Sequence, residues 1–314
     1  MIEAPQVLQR LIDLGRSLAP ITVAVCHPCS DVSLRGAVEA AQAHLIEPVL
    51  VGPSDKIHSI ADAAGIDISP YRLVATAHSH ESAARAVALC RSGECEALMK
   101  GSLHTDEMMH EVVNPDTGLR TDRRLSHVFL MEVSTYPNML MITDAAINIY
   151  PTLDDKFHIV QNAIDLAHAL GIPQPKVAIL SAVETVDSKI LSTIEAAALC
   201  KMADRGQISG AIVDGPLAFD TAINPEAARI KGIVSAVAGV ADILLVPDME
   251  SGNMLAKQLE YLANAKSAGI VLGARVPIIL TSRSDSTETR LASCAVAVKL
   301  AHARRQDAGG AIHA

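Results

Sequence analysis

Val276-Pro277-Ile278-Ile279-Leu280-Thr281-Ser282-Arg283-Ser284-Asp285-Ser286-Thr287-Glu288-Thr289-Arg290 passes from an apolar run into a cluster of hydroxyl and acidic residues. The run reads as a buried parallel strand. The Ser/Asp/Thr cluster is the chemistry of a helix start. Beyond it Leu291, Cys294, Ala295, Val298 and Leu300 recur at helical spacing and predict an amphipathic helix to about residue 305. Ser282 and Arg283 therefore fall at the carboxyl end of a strand, just ahead of the free N–H groups of a helix. In open α/β sheets ligands bind at such corners, and an adjacent arginine favours phosphate or carboxylate. A turn whose Ser and Asp only cap the helix has the same pattern, so these residues alone leave both readings open.

Working outward, the N-terminal half alternates strand and helix. Strands are predicted over 21–26, 48–51, 71–76 and 97–101, and helices over 31–45, 54–64 and 79–91. Short apolar runs alternating with helices imply βαβ units and a mostly parallel sheet. The rhythm breaks after a short helix at 105–111. Two apolar runs, 126–133 and 139–143, follow with no helix between them, which predicts an antiparallel pair. Residues 144–151 read as a loop, and Thr152-Leu-Asp-Asp155 as a capping box opening a helix to about residue 170. Strands at 176–182, 210–214, 241–246, 270–272 and 276–280 then resume the alternation, with helices at 188–203, 225–231 and from 254 to about 265. The fold class is α/β, with mostly parallel doubly wound sheets in two domains. Residues 1–145 with the last helix, 286–314, make the first domain, and 146–285 make the second.

The 314 residues allow two such domains, and at 50% hydrophobic they allow a sizeable core. With no Trp, 4 Tyr and 3 Phe, that core is aliphatic. A net charge of -9 without a basic tract argues against nucleic acid and anionic membrane surfaces. No apolar run is long enough to span a bilayer, and the N-terminal residues form an amphipathic helix rather than a signal peptide, so a cytoplasmic location is expected. Six cysteines make no disulfide framework. Cys26-His-Pro-Cys29 has redox or half-zinc spacing, but no second pair completes it, and two small buried residues at a strand end explain it better.

The remaining polar residues of note cluster after strands: Lys100-Gly101-Ser102, Asp144 with Asn148, Asp214-Gly215-Pro216 and Asp248. Such corners share one rim in doubly wound sheets. The sequence has no P-loop, dinucleotide fingerprint, nucleophile elbow or zinc motif. Asp144, Asp214 and Asp248 suggest a divalent-metal cluster less readily than carboxylates bonded to neighbouring backbone N–H groups. No metal and no cofactor is therefore expected. His104 and His127 lie near the rim and read as structural or solvated.

Seven segments, taken together, resemble the phosphate acetyltransferase/phosphate butyryltransferase family over about 300 residues. They are Leu98-Met-Lys-Gly-Ser102, Gly118-Leu-Arg120, Leu125-Ser-His-Val128, Ile142-Thr-Asp144-Ala-Ala-Ile-Asn148-Ile149, Asp214-Gly-Pro-Leu-Ala-Phe-Asp220, Val246-Pro-Asp-Met-Glu-Ser-Gly-Asn253 and Pro277-Ile-Ile-Leu-Thr-Ser-Arg283. The resemblance implies a fold like that of the isopropylmalate and isocitrate dehydrogenases, a homodimer, and an active site in the cleft between domains. It implies reversible acyl transfer, acyl-CoA plus orthophosphate giving acyl phosphate plus CoA, with coenzyme A a substrate. It also implies that the CoA thiolate attacks the acyl phosphate directly, without an acyl-enzyme.

On this resemblance Arg283 binds phosphate and Ser282 hydrogen-bonds the tetrahedral intermediate. Lys100, Arg120, Ser126, Asp144, Asn148, Asp214 and Asn253 fall on its substrate-binding segments. The acetyltransferase branch carries an Asp seven residues after the Ser as the base for the thiol. Here that position is Thr289, so the role passes to Asp285 or Glu288. Several segments are worded like the butyryl branch, yet short members are often acetyl-specific. The acetyl reaction is the reading taken, with phosphate butyryltransferase the alternative. One methylene changes discrimination by only about 1–3 kcal/mol. Two rivals are a metal- and nicotinamide-dependent decarboxylating dehydrogenase and a non-catalytic CoA- or acyl-phosphate-binding protein.

Overall fold

The computed structural model describes residues 6–280 and 285–310. The chain divides into two compact units: Leu8–Arg123 with the returning segment from Ala268 onward, here the flanking unit, and Arg124–Ser267, the central unit. This division differs from the one read at residue 145. The antiparallel pair given above to the first domain lies in the central unit, where its second strand pairs with a central strand.

In the flanking unit α1 (Val7–Arg16) buries Leu8, Leu11 and Ile12 on one face. Then come β1 (Ile21–Cys26), α2 (Asp31–Gln42), β2 (Ile46–Gly52), α3 (Ser54–Ala64), β3 (Arg72–Ala75), α4 (Ser79–Arg91), β4 (Ala97–Lys100) and α5 (Thr105–Val112). The strands β3, β2, β1 and β4 pair in that order, all parallel. Helix-covered parallel strands must be apolar on both faces, and Val23, Ala24, Val25 and Leu98 are fully buried. Ser30 and Ser33 form a reciprocal capping box that starts α2.

The central unit opens with β5 (Ser126–Glu132) and β6 (Leu140–Thr143), antiparallel as expected. The predicted capping box is present: Thr152 accepts from Asp155 N and starts α6 (Leu153–Ala169). Next are β7 (Lys176–Leu180), α7 (Leu191–Asp204), β8 (Ile212–Leu217), α8 (Phe219–Ile223), α9 (Pro225–Ile230), β9 (Ile243–Leu245) and α10 (Met249–Leu262). Within this unit the strands run β5-β6-β9-β7-β8, parallel from β6 onward. Met131, Ile142, Ala178, Leu217 and Leu244 pack together in its aliphatic core.

Two boundaries correct the sequence reading. β8 continues through Gly215-Pro216 to Leu217, because a register shift between Ala178 and Leu180 lets the ladder resume at Leu217. Proline is tolerated at such an irregularity, where its missing N–H leaves no ladder bond unmade. Asp214 thus lies inside the strand rather than at its end. α10 starts at Met249, with Asp248 as its N-cap, so Asn253 sits on a helix and not in a loop. The short α8 has no counterpart in the reading, since five residues are too few for periodicity to register.

The chain then returns to the flanking sheet through β10 (Lys266–Leu272) and β11 (Ile278–Ile279), and ends in α11 (Thr287–Gly310). β11 is parallel to β4 and antiparallel to β10, so the opening stretch does read out as a buried strand beside β4. α11 buries Cys294, Ala295, Val298 and Leu300, four of the five residues that predicted it.

Candidate active site

At the end of β4 the chain turns sharply at Gly101. A Cβ there would lie 2.3 Å from the Cys26 carbonyl oxygen, so only glycine fits against β1. Ser102 Oγ donates to His27 O at 2.9 Å and accepts from Cys29 N at 3.2 Å, tying this corner to the one after β1. Lys100 is half-buried at the strand end and Arg120 is exposed, in an isolated bridge with Ala274. Cys26 and Cys29 are buried free thiols. Burial, with Glu107 nearby, pushes the Cys26 thiol far up, and burial raises Cys29 as well, which leaves both poor nucleophiles.

Ser282 and Arg283 lie outside the described residues. Ser286 caps α11: its Oγ accepts from Thr289 N and donates to Thr289 Oγ1, both at 3.1 Å. Thr289, which stands where the resemblance placed a base, is therefore part of the cap. Arg290 Nη1 donates to Asp285 O at 2.7 Å, while its Nη2 reaches Thr287 Oγ1 at 3.0 Å and Glu39 Oε2 on α2 at 3.3 Å. Arg290 thus fixes the segment carrying Asp285 and Glu288, both half-buried. The sequence reading missed it, because an arginine one turn into a helix looks like an ordinary solvated residue.

In the central unit Asp144 organises its own loop. Its Oδ1 accepts from Ala146 N at 3.0 Å and Ile147 N at 3.1 Å; its Oδ2 accepts from Asn148 N at 3.1 Å and Asn148 Nδ2 at 2.6 Å. Burial raises its pKa above the ordinary aspartate value, and these four bonds work against that rise. Asn148 also donates to Leu125 O at 2.7 Å and accepts from Arg124 Nε at 2.8 Å. One residue on, Ser126 is fully buried and accepts from Asn162 Nδ2 at 2.9 Å. The same Asn162 amide donates to Arg124 O at 2.9 Å.

The structure thus brings Ser126, Asp144 and Asn148 into one network, with Arg124 and Asn162 as members the reading did not name. Asn162 left a signal: a polar residue amid the apolar positions of α6 must find a partner when buried. Asp214 and Asn253 do not join. Asp214 Oδ1 accepts from Gly215 N at 2.8 Å, and Asn253 is exposed, with Nδ2 donating to Ala145 O at 3.3 Å. Asp144, Asp214 and Asp248 each hold a backbone N–H, and among the described residues no group of three His, Cys, Asp or Glu side chains is placed to hold a metal. His127 is buried on β5 and stacked edge-on against Phe129 at 4.4 Å, so it is a core residue.

The family profile described as phosphate acetyl/butaryl transferase matches residues 73–298. The phosphate acetyltransferase of Rhizobium meliloti is 61% identical over 301 residues, covering 96% of this chain and 95% of that one. The phosphate butyryltransferase of Clostridium acetobutylicum is 42% identical over 287 residues, covering 91% and 95%. Among solved structures a branched-chain phosphotransacylase from Enterococcus faecalis V583 superposes with a TM-score of 0.79 at 31% identity, covering 90% of this chain and 99% of that one. A 4-hydroxythreonine-4-phosphate dehydrogenase from Klebsiella pneumoniae, at 13% identity and a TM-score of 0.55, covers 90% and 99% and shares the fold alone. The dehydrogenase-like fold expected from the sequence is therefore present.

Fold and relatives together define the class as a phosphate acyltransferase. The chain belongs to the phosphate acetyltransferase/phosphate butyryltransferase family. Among the described residues no helix is long and apolar enough to cross a membrane.

Proposed function

We propose that this protein catalyses the reversible transfer of an acetyl group between coenzyme A and orthophosphate. The observation that carries the reading is the 61% identity, over nearly its whole length, to a phosphate acetyltransferase, against 42% to a phosphate butyryltransferase. In the direction of acetyl-CoA formation, a carboxylate takes the proton of the CoA thiol. The thiolate attacks the carbonyl carbon of acetyl phosphate, and the C–S bond forms. The tetrahedral intermediate collapses by breaking the C–O bond, and orthophosphate leaves with the electron pair. Arg283 anchors the phosphoryl group, and Ser282 donates a hydrogen bond to the oxyanion. Asp285 or Glu288 is the base.

Lys100, Arg120, Ser126, Asp144, Asn148, Asp214 and Asn253 serve substrate binding, directly or by shaping the loops that do. For Asp144 and Asn148 the internal bonding supports the second role. The reaction uses no cofactor, since coenzyme A is itself a substrate. The protein works as a homodimer in the cytoplasm, which size-exclusion chromatography with light scattering and fractionation of cells would check. Incubation with acetyl phosphate and CoA tests the reading: acetyl-CoA and orthophosphate must accumulate in equal amounts. Hydrolysis of acetyl phosphate without thioester formation would overturn it.

A further inference from the structure

Arg124 carries an arrangement that structural support alone does not require. Its Nε donates to Asn148 Oδ1 at 2.8 Å and lies 3.4 Å from Asp155 Oδ1. Both partners meet the Nε position, and the two Nη groups have no partner among the described residues. Its backbone is held too, because Asn162 Nδ2 donates to Arg124 O at 2.9 Å. The supports are themselves fixed. Asn148 is locked by Asp144 Oδ2 and Leu125 O, and Asp155 by the N-cap of α6. Burial acts to raise the Asp155 pKa, but the Thr152 hydrogen bonds and the Arg124 charge bring it below the ordinary value, so it remains an anion beside the guanidinium. The side chain is nevertheless 56% exposed.

An exposed arginine held only for surface stability has no need of a buried asparagine, itself locked by Asp144, and a half-buried Asp155 to fix its Nε. A guanidinium pinned at Nε and open at both Nη groups offers parallel N–H donors at the spacing of two phosphate oxygens, already ordered before the ligand arrives. We propose that Arg124 contacts a phosphate group of the substrates, held in place by Asn148 and Asp155. The proposal rests on the phosphate acyltransfer reading. The phosphate could come from the transferred orthophosphate or from coenzyme A, and the test separates the two.

Arg124→Gln and Arg124→Lys would be compared with the parent in steady-state kinetics and in calorimetric titration with orthophosphate, CoA and dephospho-CoA. Arg124→Gln should raise one KM by about tenfold or more with a smaller change in kcat, and Arg124→Lys should recover part of the loss. A rise confined to orthophosphate and acetyl phosphate assigns the contact to the transferred group. A rise for CoA that is absent for dephospho-CoA assigns it to the CoA 3′-phosphate, and a rise for both forms assigns it to the diphosphate. Unchanged KM values and affinities in Arg124→Gln, or a loss seen only in melting temperature, would overturn the proposal. Failure of the parent to transfer acetyl groups would count against the proposed function instead, and calorimetry would still judge Arg124 by binding.

Discussion

The side-chain amide of Asn148 donates to the Asp144 carboxylate at 2.6 Å, and both residues are almost wholly buried. Asp144 is charged or polar in every protonation state and has no cation beside it in the network. Its solvation inside the protein comes from three backbone N–H groups and this one amide. Asn148 in turn carries Arg124, so the loop from Asp144 to Asn148 connects a buried carboxyl group to an exposed cation without direct contact between them.

Asn148→Ala leaves Asp144 short of a donor, removes the Asn148 bond to Leu125 O, and leaves Arg124 Nε with Asp155 alone. Removing one member of a buried polar network costs about 2–4 kcal/mol. Urea unfolding should report a loss of that size, and KM should rise for the substrate that Arg124 meets. Parent-like stability would mean that water replaces the amide at no cost.

Arg290→Met removes the bonds to Asp285 O, Thr287 Oγ1 and Glu39. A stability loss of about 1–3 kcal/mol is expected, together with a fall in kcat as the start of α11 loses its anchor. Gly36→Ala should act in the same direction, since its Cβ would meet Arg290 Cδ at 2.9 Å. Turnover unchanged in both variants would detach Arg290 from the site.

The base is assigned by pH. Of Asp285→Asn and Glu288→Gln, one should remove the acid limb of the kcat/KM profile and lower kcat by about a hundredfold or more. The other should leave that limb in place. If both variants keep it, the thiol proton goes elsewhere.

His127 makes stability depend on pH. Burial, helped by the charge of Lys257, lowers its pKa from 6.5 to about 4. Above 6.5 both folded and unfolded chains hold it neutral. As pH falls from 6.5 towards 4 the unfolded chain takes up a proton that the folded chain refuses, so stability is lost over that window. At pH 5 the loss is about 2 kcal/mol from this residue. In His127→Leu the difference in unfolding free energy between pH 7 and pH 5 should shrink by about that amount. A pH dependence identical to the parent's would show that His127 does not titrate in this way.

Much of this was legible in the sequence. Strands such as Ile21–Cys26 and helices such as Ser54–Ala64 and Ser79–Arg91 stand where their periodicity put them. Buried parallel strands such as β1 are almost wholly apolar, and local capping fixes helix starts, as at Thr152 and Asp155. Asp144, Asp214 and Asp248 hold backbone N–H groups, the simpler of the two readings given to them. What could not be read depends on distant partners. The strand through Gly215-Pro216 needs β7 beside it, and the unit boundary at Arg124 follows from β6 pairing with β9. Arg124 and Asn162 acquire their roles only from residues many positions away, and Arg290 acquires part of its role from Glu39 on α2.

The measurement that bears most directly on the account is thiol release from acetyl-CoA and from butyryl-CoA, each with and without orthophosphate. Release from acetyl-CoA that requires phosphate, with kcat/KM well above that for butyryl-CoA, is the expected result. A preference for butyryl-CoA would move the assignment to the other branch of the family. Absence of phosphate-dependent release from either thioester would contradict the account at its centre.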